Sequence, residues 1–156
     1  GDGKNPDFGA SDRQYFEKLK FLVREHDLED NIKFIITSDQ ELVDLYHYSD
    51  NFLLTPLNIG HHFEGFGLVY LEAAAAGLPS IGSSGCGAED AIRDGVTGLL
   101  VPQNDVGETS RALVRLLRDR ELQKKMKENA KNFAAEMIWD KVAKETILLY
   151  DKALES

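Results

Sequence analysis

The chain has 156 residues, enough for about one domain with a single sizeable core. Apolar content of 42% and charged content of 29% are ordinary for a globular protein, and no apolar run nears the roughly 20 residues of a membrane span. A net charge of −9 speaks against a nucleic-acid platform, and the single cysteine, Cys86, excludes an internal disulfide and fits a reducing compartment.

Ser11, Asp12, Arg13 and Gln14 have capping-box spacing and open an amphipathic helix running to about His26. Asn31 to Ile36 then reads as a strand. Ser38, Asp39, Gln40 and Glu41 form a second capping box, with Ser38 as the cap of a short helix through Leu42, Leu45 and Tyr46. Phe52-Leu53-Leu54 is the next strand, closed by Pro56. Later come a short buried strand at Ser80-Ile81-Gly82 and one or two helical turns over Ala88 to Ile92, ended by Asp94-Gly95. Gly98 to Val101 is a fourth strand. From Asp105 onward the pattern is helical, with breaks near Asp119 and Met137. Strands alternating with helices predict a parallel α/β layer. No repeat, low-complexity stretch or linker interrupts it, so residues 1–156 read as a single domain with 105–156 its helical C-terminal segment.

The most informative stretch is Phe63-Glu64-Gly65-Phe66-Gly67-Leu68-Val69-Tyr70-Leu71-Glu72-Ala73-Ala74-Ala75-Ala76-Gly77-Leu78-Pro79. Glu64 sits in a loop at the mouth of a helix whose first free amides belong near Phe66, Gly67 and Leu68. Such a helix start, entered through glycines, is a ready anion site, because unpaired N–H groups and the helix dipole converge there. Glu72 lies on the helix, about 9–12 Å from Glu64 at 1.5 Å rise per residue. Ala73 to Ala76 need no function, since small residues let a helix sit close to a sheet, and Gly77-Leu78-Pro79 is a stop signal. Gly85-Cys86-Gly87 allows two readings, a glycine-shaped turn or a second set of ligand-facing amides. Cys86 has no histidine beside it in sequence and is not read as a nucleophile. His61 and His62 could meet a metal only with a third ligand, so they are read instead as cleft-lining.

From Pro56 to Pro102 the chain resembles the nucleotide-sugar-binding lobe of retaining GT-B glycosyltransferases, of the group 1 (family 4) type with a Glu-x7-Glu motif. The similarity continues to Trp139 and Tyr150, which are read as core anchors of the last helices. The fold implied is a Rossmann-like parallel sheet flanked by helices, the C-terminal lobe of a GT-B enzyme. The resemblance implies that Glu64 is the catalytic residue at the donor sugar and that Glu72 binds the ribose hydroxyls. Gly65, Phe66, Gly67 and Leu68 would meet the diphosphate and sugar, backbone near Ile36 and Thr37 the base, and Gly87 the phosphates. Helix amides, not bulk charge, would then hold a dianionic donor on an acidic protein. Where the family has Gly-Gly, then two residues, then Glu, this chain has Cys86 and Asp90 in the first glycine and glutamate positions. Leu57 replaces a serine, and Asn58 to His61 look like an insertion that tunes sugar or acceptor choice.

The resemblance further implies that the first strand–helix unit and the whole N-terminal acceptor lobe precede Gly1-Asp2-Gly3. The chain is thus expected to be an N-terminally truncated donor lobe, inactive alone, of a transferase that retains anomeric configuration. No cofactor, metal, nucleic acid or integral membrane segment is expected. The implied partners are a nucleoside-diphosphate sugar, an unknown acceptor and the missing lobe, in a cytoplasmic protein peripheral to the membrane through that lobe. The competing expectation is a stand-alone nucleotide-sugar-binding or interaction module. A sugar-nucleotide epimerase of the same two-lobed fold would not account for Glu64 and Glu72 together.

Overall fold

The computed structural model of the chain describes residues 10–60, 65–137 and 139–154. The chain forms two compact units, residues 1–42 and 43–156.

In the first unit, α1 (Ala10–Glu25) begins one residue ahead of Ser11, a difference that helix ends commonly show; the Ser11 side chain lies outside the described residues. The helix ends in a Schellman turn. Asp27, at φ 53°, donates to Arg24 O at 3.1 Å, and Leu28 donates to Val23 O at 2.9 Å. The strand expected at Asn31–Ile36 is not formed among the described residues, because residues 32–37 join no ladder. β-branched and aromatic residues favour an extended backbone, but a strand exists only where a neighbour takes its hydrogen bonds. Phe34 instead meets Phe16 of α1 edge-on, with ring centroids 5.1 Å apart.

Helix α2 (Asp39–Tyr48) opens as its sequence requires. Glu41 Oε2 accepts from the Ser38 backbone N–H at 2.8 Å and from the Ser38 hydroxyl at 2.9 Å, and the Glu41 N–H reaches Ser38 Oγ at 3.4 Å. The backbone bond first, then the hydroxyl, holds the Glu41 carboxyl below its ordinary 4.5. A depressed carboxylate stabilises fully above its unfolded pKa and loses that contribution as pH falls through the folded one. The expected result is an NMR titration of Glu41 centred below 4.5, with protection of the first turn of α2 falling alongside it. Glu41→Gln should remove that acid dependence, and a midpoint at or above 4.5 would contradict the box.

The second unit is a three-stranded parallel sheet in the order β1 (Phe52–Leu53), β2 (Ser80–Ser83), β3 (Gly98–Val101). Phe52 pairs with Ser80, and Ile81 with Leu99. Parallel neighbours require crossovers. Helix α3 (Leu68–Ala76) joins β1 to β2, and α4 (Ala88–Ala91) joins β2 to β3. Side chains alternate with period two along each strand. Ile81, Leu99 and Val101 therefore pack on one face with Ala112, Leu116 and Met126, from α5 (Val106–Arg118) and α6 (Arg120–Glu136). Leu100 joins the opposite face, with Tyr70, Ala88, Ala91 and Ile92.

The break near Asp119 is a cap. Its carboxylate accepts the Leu122 N–H at 2.9 Å, just as Asp105 accepts that of Glu108 at 2.8 Å for α5. Helix α7 (Trp139–Leu154) buries no residue. Trp139 is 80% exposed and Tyr150 67%, so neither anchors a core, correcting the expectation for both. Their aromatic character fits an anchor, but most of each side chain stays exposed. Among the described residues no helix is long and apolar enough to cross a membrane.

Candidate functional site

Helix α3 follows β1 and precedes a parallel strand, so its N-terminus lies at the carboxyl ends of the strands, where open α/β sheets gather ligands. Gly67 makes that entrance. It is buried, lies at φ 74° and ψ 61°, and its carbonyl accepts the Tyr70 N–H at 2.9 Å. A side chain would resist this left-handed backbone. Among the described residues no side chain caps the helix there, and N–H groups in a first turn have no intrahelical acceptor.

The far end is closed by a Schellman turn at Gly77, where Gly77 donates to Ala74 O and Leu78 to Ala73 O, both at 2.8 Å. Ala73 and Ala74 are buried, which is the packing role read for the alanine run. Tyr70 fastens the middle of the helix to β1: its hydroxyl donates to Leu54 O at 2.6 Å and its ring meets Phe52 edge-on at 5.7 Å.

Glu72 stands two residues beyond Tyr70 on α3 and is exposed. The Tyr46 hydroxyl donates to its Oε2 at 3.2 Å, a long bond that leaves the other carboxylate oxygen open to a ligand. Burial first, then the Glu72 charge and this hydrogen bond, raise the Tyr46 phenol above 10.0, so it remains a neutral donor across physiological pH. Tyr46 belongs to the site's support and was read from sequence only as a helical apolar position.

The loop after β2 separates its two glycines by cause. Gly85 has φ 72° and is a turn glycine. Its N–H donates to Glu89 Oε1 at 2.7 Å, so this amide is already taken and the ligand-facing reading does not extend to it. Gly87 has ordinary helical backbone angles, φ −58° and ψ −11°. Its role is close approach: a methyl group there would lie 2.5 Å from the Phe66 nitrogen and closer still to the Gly65 carbonyl. Gly87, Gly65 and Phe66 are thus brought together backbone against backbone, beside Gly67 and Leu68. Cys86 donates its thiol to Ser83 O at 3.2 Å, and Asp90 is exposed on α4.

Glu64, His61 and His62 lie outside the described residues. Asn58, at the head of the expected insertion, is bonded to Gly85 and to Gln103, neither link being visible in the sequence. Thr37 is half-buried in the first unit, and Ile36 beside it is 68% exposed.

The family model described as glycosyl transferases group 1 matches residues 8–133. The D-inositol 3-phosphate glycosyltransferase of Streptomyces bingchenggensis (strain BCW-1) is 34% identical over 139 residues, covering 88% of this chain and 30% of that protein. Among solved structures, sucrose-phosphate synthase from Thermosynechococcus elongatus matches with a TM-score of 0.73 at 27% identity, over 98% of this chain and 37% of that one. The C-terminal domain of a glycosyl transferase group 1 family protein from Francisella tularensis matches with a TM-score of 0.70 at 25% identity, over 83% of this chain and 65% of that one. Anabaena HepE, solved in complex with UDP, shares the fold with a TM-score of 0.76 at 20% identity, over 93% of this chain and 38% of that one. The chain spans between a fifth and a third of the length of the curated relatives it matches, 30% in the Streptomyces case.

Proposed function

Because the chain belongs to the glycosyl transferases group 1 family and has the fold of GT-B glycosyltransferases, we propose that it is the donor-binding lobe of a retaining glycosyltransferase. The donor is a nucleoside-diphosphate sugar. The head of α3 carries this assignment: a left-handed Gly67, which brings no capping side chain, opens the helix at the carboxyl edge of a parallel sheet, with Gly87 seated against Gly65 and Phe66.

Amides at Phe66, Gly67 and Leu68 hold the diphosphate and stabilise the charge that grows on it as the bond to the sugar breaks, the logic of an oxyanion hole. The reaction is proposed to need no resident metal or cofactor for that step. Glu72, steadied by Tyr46, takes the ribose, since a carboxylate accepts from two vicinal hydroxyls. Glu64 orients the sugar hydroxyls. The acceptor attacks from the face the diphosphate leaves, which keeps the anomeric configuration.

Anabaena HepE has been solved in complex with UDP-glucose, so uridine nucleotides are the first probes. Thermal unfolding of the chain with UDP, UDP-glucose, GDP and ADP, beside Glu72→Ala, tests the assignment. A ligand at a hundred times its dissociation constant stabilises by about 2.7 kcal/mol. The expected result is stabilisation by one nucleotide series, lost in Glu72→Ala. Equal stabilisation of both proteins would remove Glu72 from the site, and no stabilisation by any nucleotide would count against a donor site in this chain.

A further inference from the structure

The loop after β2 is tied to the loops after β1 and β3 by two amide side chains. Asn58 Nδ2 donates to the Gly85 carbonyl at 2.8 Å, and Gln103 Nε2 donates to the same carbonyl at 3.3 Å and to that of Ser84 at 2.9 Å. Gln103 Oε1 in turn accepts the Asn58 N–H at 2.8 Å. The Gly85 N–H is held from the other side by Glu89. Asn58 follows β1, Ser84 and Gly85 follow β2, and Gln103 follows β3, so both functional ends of one glutamine join all three loops at the carboxyl edge of the sheet.

Two residues beyond Gly85, Gly87 carries the backbone of Gly65 and Phe66. A displacement of Gly85 is therefore passed through Gly87 to the peptide units that open α3. Each bond in the clasp is small by itself, and all but the part-buried one from Gln103 to Ser84 O are exposed. Their combined effect is geometric: they remove the freedom of a glycine loop that would otherwise move at little cost.

We propose that Asn58 and Gln103 are positioning residues for the diphosphate end of the donor site, acting through Gly85 and Gly87 on the amides at Phe66, Gly67 and Leu68. For its ligand the proposal rests on the donor-site assignment above; for its mechanics it does not.

UMP and UDP share the base and ribose and differ by one phosphate, so they separate the two ends of the site. Titration calorimetry of the 156-residue chain is expected to show UDP weakened by roughly threefold to tenfold in Gln103→Ala and in Asn58→Ala, the range of one or two lost hydrogen bonds. UMP affinity should stay within about twofold. Gln103→Glu keeps the acceptor for the Asn58 N–H but sets a carboxylate oxygen against the Ser84 and Gly85 carbonyls, and should weaken UDP at least as much as Gln103→Ala. Amide hydrogen exchange should quicken over residues 85–87 and 65–68 in both alanine variants, with β2 and β3 unchanged. Equal weakening of UMP and UDP, or unchanged exchange over residues 65–68, would overturn the proposal. If the wild-type chain binds neither nucleotide, the donor-site assignment fails, while the exchange data still decide the clasp.

Discussion

Gly87→Ala is expected to weaken nucleotide binding at least tenfold and to destabilise the chain. Nothing in the local backbone resists the change, since φ −58° and ψ −11° suit any residue. The conflict is with atoms that are distant in sequence: the added carbon would sit 2.5 Å from Phe66 N and against the Gly65 carbonyl. Both are backbone, so no side chain can rotate away, and the mouth of α3 has to move. Overpacking of this kind costs about 1–3 kcal/mol, and at the N-cap of α4 alanine brings no propensity gain over glycine to offset it. Gly95→Ala makes the contrasting control. Gly95 has φ 70° but nothing within 4 Å of its added carbon, so backbone strain should lower stability while nucleotide affinity holds. Denaturant unfolding and titration calorimetry on both variants read the two effects separately. Wild-type affinity in Gly87→Ala would show that this contact does not shape the site.

The second large effect is expected at Leu116, which is fully buried on α5 among Ile81, Leu99, Val101, Ala112 and Met126. Leu116→Ala should cost about 2.7–5 kcal/mol, the sum of lost burial and the cavity left behind. Domains of this size are stable by only about 5–15 kcal/mol, so the midpoint in denaturant should fall steeply. Leu117, its neighbour, is 45% exposed and faces away from the cluster. Leu117→Ala should stay within roughly 0.5–1 kcal/mol of wild type. Comparable losses at the two positions would mean that α5 is turned differently about its axis.

The elements legible in advance were those whose cause is local. Ser38 and Glu41 are a cap because their side chains reach each other's backbone within one turn. Asp119 divides α5 from α6 for the same reason. Gly77 ends α3 because a left-handed turn returns two hydrogen bonds to the last carbonyls. Asn31–Ile36 misled because its composition states a backbone preference and says nothing about whether a neighbour is present to pair with it. Trp139 and Tyr150 misled similarly: an aromatic residue signals area to be buried, not the surface that buries it.

By itself, then, the amino-acid sequence determined the alternation of helices and short strands, the caps that bound them, and the glycine-entered helix that marks the candidate site. Those features arise from interactions reaching only a few residues along the chain. Only the tertiary structure decided that Gly85 serves a turn while Gly87 serves a close approach, that Tyr46 steadies Glu72, and that Gln103 joins the loops after all three strands. Each of those pairs residues far apart in sequence, and a contact made across the fold leaves no periodicity, spacing or composition in the chain from which it could be read.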